Sequence, residues 1–392
     1  MTNIWPEPRF DYRDPDIRNN EDEYLARQRD VCPVIRSEDF GGFWALTKFA
    51  DIAEAANDHE RFTTTVGPTI PPYGRPYGSK PLTSDPPEHG VYRKLLQPFF
   101  SPAATAAMEP LVRTIVRERI AEFVGQGKGD LMAELGEPVP AQVMAVLLGL
   151  DRSRSQQISL MNKKTQRSSV GEDLRSAEEV QAEILRFLTE EIESRRAGPR
   201  DDLLSTIVHS EVDGEPVTDE IRYGMATMLI VAGTDTTVSG IVNTLFHVSR
   251  YGPDFRQALL DDPEKLDLFV NEALRFDAPV FGLARSVVGD VCLRDVEMKD
   301  GDRVLLLWGS GNHDAERFDD PDTFDPDRRP AANLTFGWGR HRCLGDKLAK
   351  LEIRVVVEEV LAAMPEFRRV TDDPPPLRMD LEHGPSALEV VW

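Results

Sequence analysis

The chain has 392 residues, and its 46 Lys and Arg stand against 68 Asp and Glu, so 46 − 68 leaves a formal net charge of −22. A body this acidic repels phosphate backbones, which argues against nucleic-acid binding. Apolar residues make up 40% and charged residues 29% of the sequence, a globular balance with material for a large core. Three widely spaced cysteines, Cys32, Cys292 and Cys343, cannot form a disulfide framework and suit a reducing compartment.

Met1 to Pro15 carries no basic stretch followed by an apolar run, so neither a secretory signal nor an anchor is expected, and a cytoplasmic location is. Short strand-like pieces such as Gly42 to Thr47 alternate with proline-rich turns through the first hundred residues, without a long helical period. Thr63 to Ser84, rich in Pro and Gly, reads as a long ordered loop of the kind that usually carries function. Asp85 followed by two prolines predicts an N-cap and a helix that sets His89 and Arg93 on one face. Met108, Leu111, Val112, Ile115, Val116, Ile120 and Phe123 then mark an amphipathic helix.

The longest helical stretch, about Thr218 to Arg250, is apolar on almost every face and spans roughly 50 Å at 1.5 Å per residue, so it crosses the interior. Asp262 and Pro263 cap a helix from Glu264 to Phe276. From Pro279 to about Leu307, β-branched residues and Gly/Asp turns predict a small sheet. Residues 311–333 form an acidic meander before a last helix, Asp346 to Met364. With no repeat and no flexible linker, one mainly α domain with a minor β part is expected over residues 1–392.

The most informative stretch is Phe336 to Gly345, which sets a cysteine in a glycine-flanked loop before a helix. Gly339 allows a tight turn, Gly345 a close approach to a flat object, and Phe336 can pack beneath Cys343. The orphan amides and dipole of the following helix favour a thiolate at Cys343, the ligand a haem iron accepts. Arg340, His341 and Arg342 supply donors for carboxylates at a cofactor edge. Glu272 and Arg275 share a helical face, and Ala232-Gly-Thr-Asp-Thr-Thr237 places an acid and hydroxyls inside the apolar helix, a costly choice unless they are used. There Gly233 removes a side chain facing a flat cofactor, and glycine with Ser/Thr back-bonding can open the helical ladder.

Together these stretches resemble the cytochrome P450 family. Phe336, Gly339, His341, Cys343 and Gly345 fill its haem-binding signature, Glu272 and Arg275 its Glu-x-x-Arg pair, and Ala232 to Thr237 its oxygen-activation motif. His89 and Arg93 match its His-x-x-x-Arg, and Arg285 a further ligand of the haem carboxylates. The resemblance implies the mainly α P450 fold with the long central helix over a buried haem b (iron protoporphyrin IX), Cys343 as metal ligand, Thr236 as the alcohol holding water at the oxygen site and Asp235 as proton relay. Thr323 stands where the family often completes the Glu272–Arg275 network with Arg or His, leaving the third partner open. Asn312-His-Asp314 replaces a frequent Asn-Arg-Asp.

The implied activity is a monooxygenase that hydroxylates or O-dealkylates a small, largely apolar terpenoid or aromatic substrate. By analogy the pocket takes Met228, Leu229, Val280, Phe281 and Leu283, and Arg75 or Lys80 is a candidate carboxylate anchor. No phosphate-binding glycine loop is visible, so electrons must come from a ferredoxin or flavodoxin. The expected docking face is Arg93, Lys94, Arg340, Arg342, Lys347, Lys350 and Arg354. A peroxide-driven haem-thiolate enzyme and a non-catalytic haem sensor or carrier are the alternatives, but neither needs the Asp235–Thr236 pair.

Overall fold

A computed structural model describes residues 10–11, 14–72, 78–169, 177–329, 331–378 and 382–392. The central helix runs unbroken over Asp219–Ser249, about 46 Å at 1.5 Å per residue. Its first turn is capped by Thr218, whose hydroxyl accepts from the Ile221 amide at 3.4 Å, and Asp219 and Glu220 follow where the dipole favours acids. Among the described residues it is the one helix long and apolar enough to cross a membrane. Yet helices Pro138–Leu147, Ser155–Ser169, Pro263–Phe276 and Asp346–Ala363 pack around it, and it is the axis of the largest apolar core.

The expected opening of its ladder is absent. Hydroxyls of Thr234, Thr236 and Thr237 donate to the carbonyls of Ile230, Ala232 and Gly233 at 2.8, 3.0 and 3.5 Å. These bonds add to the backbone ladder rather than replacing it, because neighbouring helices hold both flanks.

The helix Pro102–Phe123 buries Val112, Ile115, Val116, Ile120 and Phe123, the stripe its periodicity predicts, and the Ser101 hydroxyl caps it. Asp262 caps Pro263–Phe276 by accepting from the amides of Glu264 and Lys265 at 3.0 and 3.3 Å. Two expectations fail. Besides the expected helix Glu88–Leu96, the first hundred residues hold the helices Glu21–Val31 and Phe49–Asn57. The first buries only Tyr24, Leu25, Gln28 and Arg29, a stripe too polar to register as apolar periodicity. Nor is Asp85 a cap, since the helix it precedes begins at Glu88. Its carboxylate turns back to accept from the Thr64 amide and hydroxyl at 3.2 and 3.1 Å and from the Thr63 hydroxyl, pinning the start of the Thr63–Ser84 loop.

Five short strands form the principal sheet in the order Val34–Ser37, Phe43–Leu46, Arg303–Leu306, Leu283–Val287 and Phe62–Thr63. The pairing of Phe43–Leu46 with Arg303–Leu306 is parallel and the rest antiparallel. Alternation along Leu283–Val287 sends Leu283 and Arg285 to one face, while Ala284 packs with Phe43 and Leu305 on the other.

Candidate functional site

A single cavity gathers most of the singled-out residues. Met228, Ala232, Thr236 and Gly240, each one helical turn apart, line it from the central helix together with Leu229, Gly233 and Thr237. His89 and Arg93 enter from Glu88–Leu96, Val280, Leu283 and Arg285 from the sheet edge, and Phe336, His341, Cys343 and Gly345 from the cysteine loop. Residues hundreds of positions apart thus face one another.

The loop's own geometry explains its glycines unevenly. Gly339 has φ +66°, and a Cβ there would lie 3.0 Å from Asn57 Oδ1 and 3.1 Å from the Ala56 carbonyl, so the turn requires glycine. At Gly345 an added Cβ would meet only the Phe100 ring at 3.7 Å; the protein itself leaves room there, on the cavity side. Gly233 lines the cavity, and a Cβ there would also run into Met144 Cε. That glycine lets Met144, from the helix Pro138–Leu147, lie against the central helix.

The Cys343 amide donates to the Phe336 carbonyl at 2.7 Å, closing the loop. The sulfur opens onto the cavity but protein surrounds the cavity, and this enclosure pushes the thiol pKa up; the Gly345 amide, Arg93 and Arg342 pull the other way. Burial therefore outweighs the helix terminus, contrary to the expectation that the terminus alone favours a thiolate. Coordination to a metal would complete the deprotonation.

Two arginines and two histidines converge on the cavity. Arg285 is 2% exposed and among the described residues its guanidinium donates only to the Ala284 carbonyl, at 3.1 Å; burial brings its pKa down to about 10. Burial likewise lowers Arg93. The rings of His89 and His341 stand 4.1 Å apart. Burial first, then neighbouring cations, push them down to about 4 and about 2. His341 Nε2 is buried with no hydrogen-bond partner. An orphaned ring nitrogen and two underpaired guanidiniums beside an apolar chamber fit a flat apolar group bearing two carboxylates, and Cys343 would supply a thiolate to its metal. The residues present therefore suit haem.

The Glu272–Arg275 pair holds this loop. Arg275 Nε and Nη2 donate to the two oxygens of Glu272 at 2.8 Å each, with the pair's side chains 1% and 3% exposed, and Arg275 Nη1 donates to the Asn312 carbonyl at 2.8 Å. The open third place is taken by Arg328, not Thr323. Its Nε donates to Glu272 Oε1 at 3.1 Å, and its other nitrogens donate to the carbonyls of Asp319, Asp320 and Thr323 at 2.8, 3.1 and 3.1 Å. Asn312 accepts from the Leu334 amide at 2.7 Å and donates to Thr335 at 2.9 Å, tying the meander to the strand of chain that leads into Phe336. His313 bridges the Phe276 carbonyl and Asp322, each at 2.8 Å.

Some predicted residues lie elsewhere. Phe281 stacks on Phe10 in a separate apolar cluster, with ring centroids 6.2 Å apart, from the irregular stretch just before the strand Leu283–Val287. Asp235 sits half-buried on the flank of the central helix and is not a cavity residue. Lys80 is paired with Glu88 at 3.2 Å, and Arg75 lies outside the described residues.

The expected basic face is narrower than its sequence. Arg93 turns into the cavity, Arg342 pairs with Asp346 at 2.8 Å, Arg354 is held by Glu109 and Glu358 at 2.8 and 2.9 Å, and Lys350 turns inward. Exposed Lys94, Arg340, Arg342 and Lys347 remain. The Thr63–Ser84 loop, which the family analogy also brings to the pocket, contributes Pro81 and Leu82, whereas Met144, Trp308 and Glu352 in the cavity wall were missed by sequence reasoning. Burial pushes the Glu352 carboxyl pKa well up, and its Oε2 has no partner; no motif pointed to it.

Comparison with known proteins agrees with this cavity. The family model described as Cytochrome P450 matches residues 141–377. "Cytochrome P450 130" of Mycobacterium tuberculosis is 33% identical over 93% of this chain and 89% of its own length. The "Methyl-branched lipid omega-hydroxylase" of the same organism is 31% identical over 97% and 92%. Among solved structures, that of CalO2 superimposes with a TM-score of 0.87 at 27% identity over 98% of this chain and 99% of the other. CYP109E1 from Bacillus megaterium in complex with testosterone gives 0.86 at 26% identity, over 96% and 98%.

Proposed function

Because the chain belongs to the cytochrome P450 family of haem-dependent monooxygenases, we propose that it hydroxylates, or O-dealkylates by way of a hydroxylation, a small and largely apolar organic substrate of the terpenoid or aromatic kind with electrons from a ferredoxin or flavodoxin. The observation that carries this reading is one cavity shared by the Cys343 sulfur, the Thr236 hydroxyl and an apolar wall of Met228, Leu229, Val280 and Leu283. When bound, haem supplies reductive activation of dioxygen and transfer of one oxygen atom to a C–H bond.

The chain's own residues do the rest. Arg93, Arg285, His89 and His341 offer donors to the two carboxylates and fix the cofactor's orientation. Thr236 holds a water or hydroxyl proton at the cavity surface, its oxygen at 3.0 Å from the Ala232 carbonyl that orients it. Asp235, one residue earlier on the helix flank, relays protons from the solvent side. Apolar side chains exclude bulk water and select substrates by shape. Lys94, Arg340 and Lys347 steer an acidic electron donor to the cysteine side and, with a cytoplasmic location, suit a small soluble donor.

Names of relatives support the apolar substrate: one is a hydroxylase of methyl-branched lipid and another, at 29% identity from Mycolicibacterium smegmatis, a steroid C26-monooxygenase. The test is a ligand screen on the holoenzyme with terpenoids, aromatics, steroids and branched fatty acids, read as a spin-state shift. Turnover follows with reduced ferredoxin, with flavodoxin and with peroxide alone. Product formation from an apolar ligand with either protein donor is the expected result. Binding confined to polar ligands, or turnover with peroxide only, would overturn it.

A further inference from the structure

By sequence Lys350 reads as a docking cation on the final helix, but its side chain points into the protein. Its Nζ donates to Asn271 Oδ1 at 2.6 Å and stands 5.4 Å from the centroid of the Phe336 ring. Asn271 is fixed in turn, donating to the Asp267 carbonyl at 2.6 Å on the Pro263–Phe276 helix. Arg342 and Arg354 have carboxylate partners, whereas Lys350 makes no ion pair among the described residues. A half-buried ammonium whose direct partner is a neutral amide is an expensive arrangement; burial lowers its pKa, with Asp346 opposing at longer range.

What lies beyond the ring gives that charge a use. Phe336 accepts the Cys343 amide proton at 2.7 Å, and both residues line the same cavity. A cation over an aromatic face is attracted by the ring, by about 0.5–2 kcal/mol depending on its desolvation. Across a dry ring its field is screened far less than that of a solvated lysine. One-electron reduction of iron ligated by Cys343 adds negative charge to the iron–sulfur pair, and a fixed positive charge stabilises the reduced form relative to the oxidised one.

We propose that Lys350 is a positioning charge for the redox step, held over Phe336 by Asn271 so that it raises the reduction potential of the iron bound to Cys343. The electron comes from an external donor, no bond forms or breaks at Lys350, and it remains an ammonium throughout. Lys350 therefore serves electron acceptance rather than partner docking. The inference rests on haem ligation by Cys343, which the carbon-monoxide difference spectrum of the reduced protein tests separately.

The experiment is a dye-mediated redox titration of substrate-free holoenzyme, comparing wild type with Lys350→Gln, Lys350→Arg, Asn271→Asp and the exposed control Lys347→Gln. At the wild-type midpoint, Lys350→Gln should lower the ferrous-to-ferric ratio at least threefold, about 28 mV at 59 mV per tenfold for one electron. Lys350→Arg should restore it. Asn271→Asp leaves the lysine in place but neutralises it with a carboxylate, and should lower the ratio in the same sense even if Lys350→Gln fails to load haem. Lys347→Gln should leave it alone. A wild-type midpoint in either Lys350→Gln or Asn271→Asp, or an equal shift in Lys347→Gln, overturns the proposal.

Discussion

Removing the Arg328 side chain should loosen the cysteine loop from a distance. Its Nε is one of the donors to Glu272 Oε1, beside Arg275 Nη2 at 2.8 Å and the Asp325 amide at 3.0 Å. Its other nitrogens hold three meander carbonyls. In Arg328→Ala the buried carboxylate keeps Arg275 but loses one charge-assisted bond, worth about 1.5–3 kcal/mol. The three carbonyls border exposed turns and can turn to water, so they add little. A loss of about 2–3 kcal/mol, set against an unfolding entropy near 2.1 cal/mol/K per residue over 392 residues, lowers the melting temperature by about 3 °C.

The local effect is larger, since the meander carries the chain into Phe336 and Cys343. Thermal unfolding of the holoenzyme gives the global number. Repeated reduced carbon-monoxide spectra during mild heating report how fast the long-wavelength, thiolate-ligated band is lost. Arg328→Lys keeps the charge but not the fork and should recover less than half of the loss. Thr323→Ala should be neutral, because the bonds that residue makes among the described residues use its backbone amide and carbonyl. If Arg328→Ala kept both the wild-type melting temperature and the wild-type rate of band loss, the assignment of Arg328 as third partner would be wrong.

Thr236→Ala should go on consuming reductant while releasing more peroxide per electron pair; full coupling measured as product against reductant would count against its role. Burial of Glu352 pushes its carboxyl pKa well up, so the fold favours the neutral form. Its stability contribution is complete below the unfolded value near 4.3 and is lost as pH rises from there toward the raised folded value. Glu352→Gln should remove that loss, and a less stable Gln variant at neutral pH would refute a neutral carboxyl. For His89 and His341 the shift is downward, to about 4 and about 2. The haem-free chain should thus lose stability as pH falls below about 6.5, by at most about 1.4 kcal/mol per pH unit per histidine. Equal denaturant midpoints for the apoprotein on either side of that pH would contradict it. Gly339→Ala, forced to positive φ against Asn57 and Ala56, should cost at least about 1–2 kcal/mol and reduce haem retention; an unchanged haem content and melting point would argue that the turn relaxes.

How far the sequence alone determines this protein depends on whether the physics is local. Helix Asp219–Ser249, its cap at Thr218, the Asp262 cap and the buried stripe of Pro102–Phe123 follow from periodicity and capping, which act within a few residues. The cysteine loop was legible for the same reason, as its turn and glycine spacing are encoded in ten consecutive residues. Tertiary structure decided whatever depends on a partner distant in sequence. Arg328 rather than Thr323 reaches Glu272 because the meander's turns, not its register, bring a guanidinium there. Gly233 serves Met144, Asp85 serves a loop twenty residues back, and Phe281 leaves the cavity to stack on Phe10. Three of the seven cations grouped by sequence into one docking face, Arg93, Lys350 and Arg354, were redistributed, since a charge's role is set by which carboxylate, ring or cavity it meets in space.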